Sequence, residues 1–188
     1  MATEVSICSN ALRRLGDSPI TSLTEDSERA RLCNAFYEPS RDAVLRSHTW
    51  NFAITRASLA KLSDAPAFEY ANQFALPTDP FCLRVLKMEF EDYEFKIENL
   101  AGQGRVLLTD EGTANIIYIA RITDPSLFDS MFVDVLTSKL TVDLAYPITN
   151  STTLQAQMQK IYERKLSEAR SLDSTEGSTD SLISNVFT

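Results

Sequence analysis

Residues 93–109, with the sequence YEFKIENLAGQGRVLLT, decide the fold class of this chain. Apolar and charged residues alternate from 93 to 98, which is the pattern of a strand that has one buried and one solvated face. Gly102 and Gly104 indicate a tight turn, and a second strand-like run follows at 105–109. The stretch therefore predicts an antiparallel hairpin in the middle of the chain.

The segments on either side of this hairpin have the same β character. Aromatic and β-branched residues are frequent in them, and turn-forming residues separate them. Asp124 and Pro125 follow the last of these segments and mark the end of a β insert at 63–123. Together with the two strands of the hairpin, the segments predict five strands, at 68–76, 82–90, 93–100, 105–109 and 115–122.

Helical periodicity dominates both ends of the chain. Apolar residues recur there at intervals of three and four; Thr3 can cap the first periodic run, and Ser151 begins the last one. Pro39 lies inside the second run, for which we favour one kinked helix over two short ones, and we expect Pro147 to end the third helix. The predicted helices lie between 3 and 16, at 26–47, at 127–145 and from 151 onward.

These patterns predict an α+β fold in which a helical bundle carries an inserted antiparallel β subdomain. The helical body consists of two N-terminal and two C-terminal helices and covers 1–62 and 124–172. An extended C-terminal tail occupies 173–188 and ends in apolar residues, which favour docking onto another chain, with a disordered terminus as the alternative. The tail residues proposed to dock are Leu182, Ile183, Val186 and Phe187.

The composition is that of a globular protein with an acidic surface. Its 188 residues, of which 44% are hydrophobic and 23% charged, are enough for one packed core. The formal net charge of -8 disfavours nonspecific binding to phosphate backbones. The three cysteines indicate buried thiols of a reducing compartment, and no apolar run approaches the roughly 20 residues that span a bilayer.

The sequence offers no convincing catalytic, cofactor or metal site. His48 is the only histidine and has no cysteine or histidine at metal-ligand spacing, so a packing role is favoured. The glycines at 102 and 104 lie between two predicted strands and open no helix, which distinguishes a turn from a phosphate-binding loop. Carboxylates are frequent, but no spacing rule identifies the acid and nucleophile of a glycosidase. We therefore expect a protein without enzymatic activity, cofactor or metal.

Several segments of the chain resemble the tail tubular protein A family of podoviruses. Each segment alone is short enough to occur by chance, whereas their order and spacing over most of the chain are not. The resemblance covers about residues 5–172 and rests on ALRRLGDSPITSL (11–23), ARLCNAFY (30–37), RDAVLRSHTWNFA (41–53), FALPTD (74–79), LRV (83–85) and YIARITDP (118–125).

The resemblance implies a structural virion protein, the head-to-tail adaptor or connector of a bacteriophage. Such an adaptor forms a twelvefold ring between the portal protein and the tail nozzle, tail tubular protein B. Its central channel lets the genome pass during ejection without specific DNA binding. The resemblance also implies that the C-terminal tail engages the portal, that the β insert faces the nozzle, and that assembly takes place in the host cytoplasm without a membrane.

A closed ring needs heterologous contacts, in which one patch of a subunit meets a different patch of the next. Arginines are concentrated in the first two predicted helices, and arginine is favoured at interfaces because it makes bidentate contacts with carboxylates. For the arginines, the alternative is ordinary ion pairing on solvated helix faces; for the tryptophan, it is a core anchor. The intersubunit candidates are Arg13, Arg14, Arg41 and Trp50.

Two other classes of function compete with the adaptor. A virion-associated peptidoglycan-degrading enzyme would clear cell-wall substrate and would lose that activity when one carboxylate is changed. A free host-interaction protein would be missing from purified virions. The extent and order of the resembling segments favour the adaptor over both.

Overall fold

The computed structural model describes residues 2–173 and confirms the predicted α+β class. Short 3₁₀ turns at Asn51–Ala53 and Pro125–Leu127 lie next to the β region. The α-helices and β-strands of this part of the chain are α1 (Glu4–Arg14), α2 (Glu28–Ser47), β1 (Ile54–Ser58), β2 (Asn72–Ala75), β3 (Cys82–Met88), β4 (Lys96–Leu100), β5 (Gly104–Thr109), β6 (Asn115–Ala120), α3 (Ser130–Thr149) and α4 (Thr152–Asp173).

The chain divides into two compact units, which we call the helical unit and the β unit. The helical unit combines the residues up to 52 with those from 124 onward, and the β unit is Ala53–Thr123. The predicted β insert began at 63, which is too late, because residues 54–58 form strand β1. This strand lacks a clear alternating pattern and depends on its pairing with β6, which a local sequence pattern does not reveal.

Helix α3 is the centre of the helical unit, because it packs against each of the other three helices. Its residues Leu136 and Leu140 are fully buried, as are Ile7 and Leu12 of α1 and Val44 of α2. Burying a side chain of this size stabilises the fold by about 1.5–3 kcal/mol. The helices from the two ends of the sequence therefore share one hydrophobic core.

Helix α1 begins and ends where its sequence predicts. Thr3 and Ser6 form a capping box, in which each side chain accepts a hydrogen bond from the backbone of the other. Gly16 adopts a left-handed φ of 80° after the last turn, and the Asp17 amide donates to the Leu12 carbonyl at 3.0 Å. This Schellman arrangement satisfies carbonyls that the helix end would otherwise leave without a partner.

Prolines interrupt neither of the two long helices that contain them. Helix α2 continues through Pro39 as one helix, as favoured over two short ones. The prediction that Pro147 ends the third helix is wrong, because α3 continues to Thr149. Proline removes only one backbone donor, and the last turn stays closed because the Asn150 amide donates to the Tyr146 carbonyl at 2.8 Å. Asn150 then ends α3 with a left-handed φ of 52°.

The β unit contains two three-stranded antiparallel sheets, with the strand orders β1-β6-β3 and β2-β5-β4. The hairpin predicted around Gly102 is confirmed, since β4 pairs directly with β5. No such hairpin joins β5 to β6, which belong to different sheets although Gly112 marks a turn between them. The turn at Gly112 carries the chain between the sheets. Their shared core includes Phe74, Met88, Leu107, Ile116 and Tyr118.

Candidate interface surfaces

Trp50, one of the predicted interface residues, has no exposed surface. Its ring packs edge-on against Phe132, with 5.2 Å between the ring centroids, and against His48, at 5.0 Å. The indole Nε1 donates a hydrogen bond to the Val44 carbonyl at 2.9 Å. Trp50 is therefore a core anchor of the helical unit, as the alternative interpretation held, and the prediction that it contacts a neighbouring subunit is wrong for this conformation.

Arg41 is buried as well, with 2% of its surface exposed. Its guanidinium donates to one carboxylate oxygen of Asp42, from Nε at 3.1 Å and from Nη2 at 3.0 Å. A buried cation needs such a partner, because an unpaired charge in the interior is costly. Arg41 is thus paired within its own chain, and the prediction that it contacts a neighbouring subunit is also wrong.

Arg13 and Arg14 lie on the exposed surface at the end of α1, where an interface residue must lie. Arg13 donates only to Asn10 of its own helix, at 3.1 Å. Arg14 reaches α3, where Nη2 donates to the Asp134 carboxylate at 2.6 Å and Nη1 donates to the Ser138 hydroxyl at 2.7 Å. The four candidates therefore divide into an exposed pair on α1 and a buried pair at α2 and the segment after it.

Asp134 connects three helices, because its second carboxylate oxygen lies 3.1 Å from the Nζ of Lys165 on α4. Burial raises the pKa of Asp134, but hydrogen bonds from Arg14 and Lys165 outweigh it and hold the pKa below its usual value. Glu168 also lies 3.7 Å from Lys165 and from Arg164, so two carboxylates face three cations and one positive charge is in excess. Asp134 and Lys165 were not among the predicted site residues, although Lys165 interrupts a series of apolar residues at helical spacing in α4.

Replacing Asp134 with asparagine is expected to lower the free energy of unfolding by about 1–2 kcal/mol at pH 7, since two charged hydrogen bonds weaken at a partly exposed site. The folded-state pKa of Asp134 lies below the unfolded value of about 3.9, so its contribution is present above that pH and is lost as the pH falls through the folded-state pKa. Urea unfolding at pH 7 and pH 2 measures both effects.

Arg13→Ala is the matched control for this substitution, because Arg13 is the neighbouring arginine with a single local hydrogen bond. It should change the free energy of unfolding by less than about 0.5 kcal/mol. A loss from Asp134→Asn that is equally large at pH 2 and pH 7 would show that packing, and not charge, is responsible.

A groove lies beside this charged cluster, between α1, α3 and α4. It has a volume of about 280 Å³ and an apolar lining with a cationic rim. The surfaces of Met158 and Ile161 are only partly covered by the rest of the chain. We call this feature the α4 groove; its lining residues are Arg14, Ser138, Thr141, Met158, Ile161 and Lys165.

The β unit has an exposed surface of the opposite charge in residues 89–95, with the sequence EFEDYEF, which we call the acidic loop. The strand predicted at 93–100 begins only at Lys96, because residues 89–95 leave the sheet and form this loop. Phe90 is 51% exposed, and its ring lies 5.0 Å from the ring of Tyr93. Burial and the nearby carboxylates of Glu111, Asp92 and Glu89 raise the pKa of Tyr93, as expected where negative charge collects.

The three thiols lie in the interior of the chain, and His48 packs edge-on against Trp50. All three cysteines are buried, and the hydrogen bond with Cys33, followed by burial, raises the pKa of Cys8, which disfavours a thiolate. Residues 2–173 hold no group of three or more histidine, cysteine or acidic side chains placed to bind a metal ion. In the same residues, no helix is both long and apolar enough to cross a membrane. The tail candidates Leu182, Ile183, Val186 and Phe187 lie outside the described residues.

Comparison with known proteins does not identify a relative. No protein-family model matches the chain, and no curated protein matches it at a significant level. The functional interpretation therefore depends on the resembling segments and on the surfaces of the helical unit and the β unit.

Proposed function

We propose that this chain is a structural virion protein, the head-to-tail adaptor that forms a ring between the portal and the tail nozzle of a podovirus. The proposal starts from the segments that resemble tail tubular protein A over about residues 5–172. In this proposal the ring has twelve subunits, the β unit faces the nozzle, and the C-terminal tail engages the portal. The genome passes through the central channel.

The observation that carries the proposal is the incomplete cover of helix α4. Its apolar stripe includes Leu154, Met158 and Ile161, and each of these side chains stays partly exposed. Long amphipathic helices of a monomeric globular protein normally bury such a stripe, and a part-exposed one is typical of a surface that a further chain covers. An adaptor ring supplies such a chain at every subunit.

Charge also supports the proposal. The cationic rim of the α4 groove and the carboxylates of the acidic loop belong to different parts of the chain. Two unlike patches on one subunit are what a heterologous contact requires, and heterologous contacts form a ring when the rotation between neighbouring subunits closes. The formal net charge of -8 suits a channel wall along which DNA must slide, because an acidic surface does not hold phosphates.

The test is the mass of the purified chain in solution, measured alone and with portal rings by light scattering and native mass spectrometry. Twelve subunits of 21.0 kDa give a species of about 250 kDa, expected either alone or on the portal. A chain that stays monomeric in both samples would contradict the proposal. Cell-wall hydrolysis would then be the next activity to assay.

A further inference from the structure

The α4 groove has the size and lining of a site for one large apolar side chain. Its volume of about 280 Å³ is at the lower limit of the roughly 300–1,000 Å³ typical of pockets for whole small molecules. Met158 and Ile161 line it with apolar surface, and Arg14 and Lys165 supply cations at the rim. An occupant that matches it would combine an exposed apolar ring with adjacent carboxylates.

The rim cations are available to such an occupant because the carboxylates around them are fewer than the cations. The two carboxylate oxygens of Asp134 lie 2.6 Å from Arg14 and 3.1 Å from Lys165. Glu168 lies 3.7 Å from both Lys165 and Arg164, so two negative charges are shared among three positive charges. Both basic side chains keep about a third of their surface exposed, at 37% and 32%. A further carboxylate from outside would therefore complete the pairing at the rim.

The acidic loop presents this combination. Phe90 projects with 51% of its surface exposed, and Tyr93 supports one edge of its ring. Among the carboxylates of the loop, Glu89 accepts a hydrogen bond from Asn115 at 2.7 Å, and Glu91, whose side chain is 87% exposed, lies 3.6 Å from the Lys87 ammonium. Asp92 and Glu94 are exposed as well, so the loop keeps an excess of negative charge after Lys87 is counted.

We propose that the α4 groove binds the acidic loop of a second copy of this chain. Phe90 of one copy enters the groove of the next, and Glu91 and Asp92 lie beside Arg14 and Lys165. Both halves of the contact are on the same chain, so a second copy is the partner that satisfies both. This inference rests on the proposed function, because it supplies the lateral contact from which a ring is built.

Phe68 is a second exposed aromatic residue, and it tests whether exposure of a ring is by itself enough for binding to the groove. It is more exposed than Phe90, at 80%, and lies in the same β unit. Its acidic neighbour Glu69, however, already faces the Lys96 ammonium at 3.5 Å. Only one carboxylate is adjacent to Phe68 in the sequence and a lysine faces it, whereas the acidic loop has four carboxylates and one facing lysine. Phe68 therefore lacks the excess negative charge that the groove rim selects, and it serves as the matched control.

The experiment is disulfide crosslinking between two single-site variants of the full chain. An untagged Phe90→Cys chain is mixed with a tagged Met158→Cys chain and oxidised by dioxygen with copper(II)-phenanthroline. The native cysteines do not interfere, because all three are buried. The mixed dimer carrying one tag is expected to form at least tenfold faster than with Phe68→Cys in place of Phe90→Cys, and the difference should shrink at high salt.

A second variant tests the same contact without crosslinking. Phe90→Asp changes an exposed loop residue and is expected to abolish the ring while thermal unfolding stays that of the unaltered chain; Phe68→Asp should leave the ring intact. If rings form but the Phe90 and Phe68 variants behave alike, the contact is wrong and the adaptor function stands. If the crosslink forms selectively but no ring appears alone or on the portal, the contact stands and the adaptor function is wrong.

Discussion

Replacing Trp50 with alanine is expected to lower the free energy of unfolding by about 3–5 kcal/mol, the range typical of a fully buried aromatic side chain. The indole is fully buried, packs against Phe132 and His48, and donates a hydrogen bond to the Val44 carbonyl. Small domains are stable by only about 5–15 kcal/mol, so this variant should be partly unfolded at physiological temperature. Urea unfolding followed by far-ultraviolet circular dichroism measures the loss.

Trp50→Phe separates the packing of the ring from its hydrogen bond. It keeps an aromatic side chain in the cluster but removes the indole donor, and we expect it to cost about 1–2 kcal/mol. The Val44 carbonyl keeps a partner in that variant, because the Ser47 hydroxyl also donates to it at 2.8 Å. If the Trp50→Ala chain unfolds like the unaltered protein but fails to assemble, Trp50 is an intersubunit contact and not a core anchor.

Replacing Asp42 with alanine is expected to cost about 3 kcal/mol, although the substituted side chain is small. The change leaves the Arg41 guanidinium, whose side chain is 3% exposed, without the carboxylate that accepts its Nε and Nη2 hydrogen bonds. Losing one partner of a buried ion pair typically costs about 3–5 kcal/mol, and the 22% exposure of Asp42 places this pair at the lower end. Chemical denaturation at pH 7 provides the measurement.

Arg41→Met is the control for the charge itself. Methionine fills similar space without a charge, so Asp42 can turn to solvent and the loss should be less than about 1 kcal/mol. Equal losses from Asp42→Ala and Arg41→Met would contradict the argument that an unpaired buried cation dominates.

The sequence predicted the helices well where local chemistry determines them. The capping box at Thr3, the left-handed Gly16 and the cap of α4 at Ser151 are short-range signals that need no tertiary context. Strand β1 was missed because five residues without alternation become a strand only through pairing with β6, about 60 residues later. The predicted end of α3 at Pro147 is wrong because hydrogen bonding in the last turn offsets the destabilisation that proline causes in a helix.

The helical periodicity around Arg41 indicated that this residue is buried, whereas its charge suggested exposure. Ala30, Cys33, Tyr37, Arg41 and Val44 recur at helical spacing, and all five are buried on the same side of α2. Arg41 was predicted to lie at the surface because it is charged, and the periodicity was given less weight. The α4 groove could not be predicted in the same way, because it is formed by three helices that come from opposite ends of the chain.

The position of α3 has a consequence for how the protein is made. Helices α1 and α2 leave the ribosome early, yet their core partner α3 is complete only at Thr149, about 100 residues after α2 ends. At about 5–20 residues per second, the apolar faces of the first two helices remain uncovered for about 5–20 s during every round of translation. During that interval these faces are open to contacts with other chains, whereas all the strands of the β unit emerge before α3 and can pair without waiting for it.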